Sequence, residues 1–534
     1  MKQRAIAHTP LADLDSLGAQ VYREELTPLA FLERSGSVHA DRIAVVDGNR
    51  RYTYRDWRVR ARQFASALRK AGMRKGDRIA FLALNSEQLL LAHFAVPMAG
   101  GVLVAINTRL SAAEVAYIVA HSGARRIFYS CELQPLLADL PGQVTPCDIG
   151  SGFEGFLATG NADPIDPGLM DEEEMIAIDY TSGTTGHPKG VMYTHRSAAL
   201  NALAMIIHLR LSADSRYLWT LPMFHCNGWC ITWALAAVGA TSFCIPRVDP
   251  ARVWELLDQD GITHYNGAPT VQIILANDPS AHRLSHPVTV TTGGAPPSPT
   301  LIARLAELNL RLEHVYGLTE TYAPFTINEE PPGAETLSRD ERSRLKARQG
   351  VPHILAGRLR VVDDAMHDVP ADGATMGEVV MRGNIVTRGY YRAPELTARA
   401  FAGGWFHSGD VAVMHADGSI ELRDRKKDII ISGGENISTI EVEQTISTHP
   451  SVMECAVIAI PDEKWGEVPK AFVATKPGRE TTAEEIIEHC RARMAHFKCP
   501  AAVEFEDLPK TSTGKVQKYV LREREWQGYA KRIN

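Results

Sequence analysis

Ile176-Ala-Ile-Asp-Tyr180 runs without a break into Thr181-Ser-Gly-Thr-Thr-Gly-His-Pro-Lys-Gly190. An apolar strand thus opens onto a loop with three glycines, four hydroxyl side chains and one lysine, and a second apolar run, Val191-Met-Tyr193, follows. Glycines let successive backbone N–H groups turn toward one point, hydroxyls add donors, and lysine adds a point charge, a set suited to a polyphosphate. The spacing is not that of the ordinary nucleotide P-loop, because the residue five past Gly183 is Pro188. Thr194 is placed to cap a helix beginning near Ser197. Strand, loop, strand and capped helix in succession predict α/β layering.

Working outward, residues 41–53 read as two short strands around a turn at Asp47-Gly48, 54–71 as a helix and 77–84 as a buried strand. The apolar run 89–106 is interrupted by His93, Pro97, Gly100 and Gly101, so it reads as a buried helix and strand and not as a membrane span. The alternation continues through Ile127 and resumes over 217–292, with a helix at 250–260 and a strand at 262–265, as in layers of mainly parallel strands. Between 355 and 422 short strands and turns predict a β-rich subdomain. After the charge run 423–428 come a helix (440–449), strands (452–460 and 471–476), a helix (483–494) and a strand (502–505), a small α+β unit. The expected fold class is α/β: a large N-terminal domain, 1–426, of layered sheets plus the β-rich subdomain, and a small C-terminal domain, 427–534.

With 534 residues, 45% hydrophobic and 22% charged, the chain reads as a globular protein of about three to five domain-sized units. A net charge of −6 argues against a general binder of nucleic acid or anionic membrane. The eight scattered cysteines form no disulfide framework, and the N-terminal stretch has no apolar segment behind its early charges. The expected location is the cytoplasm, with no integral membrane attachment. The sequence does not set the assembly, a homodimer being one option.

The 181–190 loop resembles the signature of the adenylate-forming superfamily, which comprises acyl- and aryl-CoA synthetases, nonribosomal peptide adenylation domains and luciferases. Further segments resemble its other motifs, in order, over nearly the whole chain. The resemblance implies ATP held at Thr181, Ser182, Gly183, Thr184, Thr185, Gly186 and Lys189. It places adenine against Gly294, Ala295 and Pro296 of Thr292-Gly-Gly-Ala-Pro296. In Tyr316-Gly-Leu-Thr-Glu320 it implies that Tyr316 packs on adenine, Thr319 bonds the α-phosphate and Glu320 helps hold Mg²⁺. Asp410, in Trp405-Phe-His-Ser-Gly-Asp410, would grip the ribose hydroxyls with Arg425. Lys427 falls at the hinge, and Lys515, in Leu508-Pro-Lys-Thr-Ser-Thr-Gly-Lys515, matches the lysine that reaches the α-phosphate from a mobile small domain.

For the acyl acceptor, Ile431-Ser-Gly-Gly434 resembles the loop of CoA-forming members, with Gly433 and Gly434 admitting a pantetheine arm. Trp465 matches an aromatic that stacks on the CoA adenine, and equally reads as local packing. Leu221-Pro-Met-Phe-His225-Cys-Asn-Gly-Trp229-Cys230 resembles the acyl-pocket segment, with His225 as a gate and Trp229, aided by Trp233, as floor; Gly293 and Gly317 complete the pocket. Cys226 and Cys230 beside His225 hint at a metal, but no second ligand pair accompanies them. Bulky indoles favour a short- or medium-chain or aryl acid over a long fatty tail. The implied activity is AMP-forming acyl-CoA synthesis from a carboxylic acid, ATP and CoA. The rivals are an acyl-AMP ligase loading a carrier protein, a luciferase-like oxygenase, and a nucleotide-binding regulatory protein with a dead site.

Overall fold

Thr53 ends the second of two short antiparallel strands, Ile43–Asp47 and Arg50–Thr53, and its hydroxyl accepts from the Asp56 amide to cap helix Tyr54–Lys70. That helix buries Tyr54, Trp57, Ala61, Phe64 and Leu68, one stripe at helical spacing. Phe64 meets Phe128 and Phe153 edge-on at 5.2 and 5.0 Å between ring centres. The next helix, Glu87–Met98, is buried at every residue, and past Gln88 its sequence is apolar on every face apart from His93. In this computed structural model the described residues are 24–169, 171–181, 188–426, 428–433, 435–462, 464–511 and 514–527.

Among the described residues the strands form four sheets. One has six strands in the order Thr145–Asp148, Arg126–Tyr129, Arg78–Leu82, Val102–Ala105, Met175–Thr181, Lys189–Thr194. All its pairings are parallel except the last, which joins Met175–Thr181 to Lys189–Thr194 as an antiparallel pair. A nine-stranded sheet carries Val288–Thr292 and Leu310–Leu318 side by side. It is parallel only in its interior. Both ends are antiparallel, while the five pairings between them are parallel, in keeping with the mainly parallel expectation. At one end the cause is local: Tyr322 and Ala323 adopt φ of 53° and 77°, reversing the chain after Leu310–Leu318 into Ala323–Ile327. Helices between the two large sheets form the main core.

The β-rich region is a four-stranded antiparallel sheet, Arg358–Val362, Met376–Arg382, Phe406–Met414 and Ile420–Arg425. Beyond it, Ile430–Ser432, Glu435–Ile437, Val452–Asp462, Gly466–Thr475 and Ala502–Phe505 form a five-stranded sheet with helices Thr439–Ser447 and Ala483–Arg491. Two strand expectations shift. The strand expected at 262–265 is His264–Gly267; Ile262 is buried ahead of it and so carries a strand-like signal. The strand expected at 471–476 begins at Gly466, because it pairs along the full length of Val452–Asp462. No helix among the described residues is long and apolar enough to cross a membrane.

Candidate active site

A cleft of about 1650 Å³ opens between the ends of the large sheets, the β-rich sheet and the C-terminal unit. Strand Met175–Thr181 delivers Thr181 to its wall, and Lys189 stands opposite Thr181 in the antiparallel register. The hairpin loop between them, with Ser182, Gly183, Thr184, Thr185 and Gly186, lies outside the described residues. Gly293, Gly294, Ala295 and Pro296 follow strand Val288–Thr292 into the same cleft, and Tyr316, Gly317, Thr319 and Glu320 follow from its neighbour Leu310–Leu318.

The glycines are there for close approach. A Cβ at Gly317 would lie 1.9 Å from the Ala323 carbonyl oxygen, and one at Gly293 2.9 Å from that of Val315 and 3.1 Å from the Trp229 ring. His225 and Trp229 line this end of the cleft. Trp233 does not line it; it is fully buried behind, against His93 and Tyr322. The expectation of Trp233 as part of the floor is corrected by one packing layer.

At the other end Asp410 and Arg425 face each other on adjacent antiparallel strands. The Arg425 Nε donates to Asp410 Oδ1 at 2.7 Å, and the Tyr316 hydroxyl donates to Oδ2 at 2.7 Å. Each carboxylate oxygen can accept a second hydrogen bond, so the group has capacity for two further hydroxyls. Glu320 receives the Tyr390 hydroxyl on Oε1 at 2.7 Å, while no described residue donates to its second oxygen. The Lys189 ammonium stands 5.7 Å from the centre of the Tyr390 ring.

Among the described residues no three His, Cys, Asp or Glu side chains cluster to cage a metal. A single carboxylate with a free oxygen fits a hard dication held mainly by substrate phosphates, as Mg²⁺ commonly is. Burial pushes the Cys226 and Cys230 thiols well above their ordinary range, which disfavours the thiolates zinc requires.

Lys515 enters the cleft from the C-terminal unit. Its side chain is open to the cleft's solvent yet enclosed by protein charges. The Arg425 guanidinium and then burial bring its amine down to about 8, against the opposing pull of Asp410 and Asp428. Burial, with Lys515 adding to it, takes the His225 imidazole down to about 4, so the ring is neutral near pH 7. The lysine loop is folded on itself by Thr511 N–H to Lys515 O at 2.7 Å and Gly514 N–H to Thr511 O at 2.9 Å. Arg109 donates to the Thr511 carbonyl at 3.3 Å from the opposite wall. Thr439 N–H, at the start of helix Thr439–Ser447, bonds Asp424 Oδ2 at 2.7 Å, and Arg522 pairs with Asp428.

Gly433 and Trp465 lie together, outside the cleft lining. The Gly433 amide donates to the Trp465 carbonyl at 2.8 Å, and the Trp465 ring is 48% exposed, with the Lys464 ammonium 4.6 Å from its centre. Gly434 and Lys427 lie outside the described residues. Asp179 and Tyr390 line the cleft and were not singled out from sequence. Asp179 had a signal, being the one carboxylate inside an apolar strand; Tyr390 had none.

The AMP-binding enzyme family model matches residues 32–391, and the AMP-binding enzyme C-terminal domain model matches 441–515. An acetate–CoA ligase of Humulus lupulus is 43% identical over 93% of this chain and 94% of that protein. A 4-hydroxybutyrate–CoA ligase of Metallosphaera sedula is also 43% identical, over 93% of this chain and 94% of its own. Among solved structures, ATP-bound MatB from Rhodopseudomonas palustris superposes with a TM-score of 0.85 at 26% identity, over 95% of this chain and 100% of that one. An anthranilate CoA ligase in complex with anthranoyl-AMP superposes with a TM-score of 0.84 at 27% identity, over 94% and 97%.

Proposed function

The chain belongs to the AMP-binding enzyme family, and from that premise we propose how its residues divide the work of an AMP-forming acid–CoA ligase acting on a short- or medium-chain or aryl acid. It is an acid–thiol ligase that uses ATP, Mg²⁺ and CoA. The observation that carries the residue assignment is Lys515, on the C-terminal unit, sharing one cleft with Asp410, Arg425, Thr319 and Glu320.

In the first half-reaction a carboxylate oxygen of the acid attacks the α-phosphorus, the bond to pyrophosphate breaks, and acyl-AMP forms. Asp410 and Arg425 hold the ribose, Tyr316 backs the adenine with Gly294, Ala295 and Pro296, and the 181–189 loop holds the outgoing phosphates. Thr319 and the Lys515 ammonium stabilise charge that builds at the in-line centre. Bound at Glu320, Mg²⁺ would neutralise phosphate charge. In the second half-reaction residues 427–534 turn about Lys427, which withdraws Lys515 and brings Gly433, Gly434 and Trp465 to the cleft. CoA thiolate then attacks the acyl carbon and AMP leaves. The position of Gly433 and Trp465 away from the cleft in the present pose supports a two-position cycle.

The acid pocket is the end of the cleft between Trp229, Gly293, Gly317 and His225. An indole across its floor favours compact acids. The neutral His225 acts as a gate by shape and hydrogen bonding, not by charge. Cytosol is the proposed compartment, on the ground that all eight cysteines are unpaired. The test is a panel of acids from two to ten carbons plus benzoates, with AMP, pyrophosphate and thioester measured separately. The expected outcome is equal AMP and thioester with compact acids. AMP formation that is indifferent to CoA would point to carrier loading or oxygenation, and absence of pyrophosphate with every acid would point to a dead site.

A further inference from the structure

Residues 226–230 take an unusual path. Cys226, Asn227, Gly228, Trp229 and Cys230 have φ of 43°, 44°, 64°, 54° and 60°, five left-handed residues in succession, four of which carry side chains. Each non-glycine residue there crowds its Cβ against the following carbonyl, so such a run persists only where surrounding groups hold it. Gly228 has its own constraint, since a Cβ would stand 2.8 Å from the Trp219 ring.

The holding group is Asp179. It is 4% exposed, in strand Met175–Thr181 just before the phosphate-type loop, and its Oδ2 accepts the Asn227 amide at 3.0 Å. One buried side chain therefore ties an amide of the left-handed run to a core strand. The run carries Trp229, whose ring approaches Gly293 across the acid pocket.

We propose that Asp179 is a positioning residue for acid selectivity: by anchoring the amide of Asn227 it holds the left-handed 226–230 turn, and so fixes where Trp229 closes the pocket. This rests on the assignment of Trp229 to the acid pocket. Without the anchor the turn relaxes toward right-handed or extended backbone, the indole shifts, and longer acids gain room. The change is read at the acid end of the cleft, where Trp229 lies.

The test compares Asp179→Ala, Asp179→Ser and Asp179→Asn with wild type, reading the kcat/KM ratio of octanoate to butanoate. In the Ala and Ser proteins the ratio should rise about tenfold or more, the scale by which one or two methylenes are discriminated in an apolar pocket. Asparagine keeps an acceptor of the same shape and should hold the ratio within about threefold. Trp229→Gly is the control. If it leaves the ratio unchanged, the acid-pocket assignment itself fails. If it raises the ratio while Asp179→Ala and Asp179→Ser do not, or if Asn fails as completely as Ala, the positioning role is overturned. Hydrogen exchange on the wild-type protein supplies a reading independent of variant folding: the Asn227 amide should exchange as slowly as strand Met175–Thr181, and rapid exchange overturns the anchor.

Discussion

Gly514 sits beside Lys515 with φ of +84°, and a Cβ built there would lie 2.2 Å from Thr270 Oγ1 and 3.3 Å from Thr270 Cβ. Thr270 is on helix Pro269–Asn277, part of the N-terminal wall, so the contact exists only while the lysine loop is docked. Gly514→Ala therefore meets two costs. The left-handed backbone costs an alanine about 1–2 kcal/mol wherever the loop is. Crowding against Thr270 adds about 1–3 kcal/mol in the docked pose alone. Only the crowding distinguishes the docked pose from the undocked one, and it predicts that adenylation slows by about 5-fold to about 140-fold at about 1.4 kcal/mol per decade. The Thr270 hydroxyl is buried with no hydrogen-bond partner among the described residues, so removing it forfeits little. Thr270→Ala in the Gly514→Ala background should recover most of the lost adenylation rate. The assay is pyrophosphate release for adenylation, set beside thioester formation from supplied acyl-AMP. Equal slowing of both half-reactions, or no recovery on trimming Thr270, would refute docking of this loop as the adenylation pose.

The remaining predictions concern charge and size. With its amine brought down to about 8, Lys515 is a cation below that pH and neutral above it. Because the cation is the stabilising form, kcat/KM for ATP in adenylation should decline as pH rises through about 8, and Lys515→Arg should show no alkaline decline, since arginine stays charged. An alkaline limb that survives in Lys515→Arg would assign it to another group. Trp229→Gly should shift the acid profile toward longer chains, read as kcat/KM across the two-to-ten-carbon series. An unchanged profile would remove Trp229 from the pocket.

The parts of the site that were legible in the sequence are those whose chemistry is contiguous. Residues 176–190, 316–320, 405–410 and 508–515 each carry their own turn residues and functional groups, and the cleft gathers residues from all four. Helix 54–71 was legible for the same reason, its cap and apolar stripe being local, and it is observed as Tyr54–Lys70. What stayed hidden are partners set by packing. Nothing near Glu320 announces Tyr390, nothing near Thr511 announces Arg109, and nothing near Gly514 announces Thr270. Each pair meets only after separate sheets or the two ends of the chain come together. The 226–230 turn was hidden differently: a single glycine in His225-Cys-Asn-Gly-Trp229-Cys230 gives no hint of five left-handed residues, because the anchoring carboxyl lies 48 positions before Asn227.

The most direct measurement separates the two half-reactions in Lys515→Ala. If this amine serves the α-phosphate, acid-dependent pyrophosphate release should drop by about 10²-fold or more, the scale seen when one transition-state donor is removed. Thioester formation from supplied acyl-AMP and CoA should continue at close to the wild-type rate. Pyrophosphate release that persists in Lys515→Ala, or a parallel collapse of both half-reactions, would contradict the account.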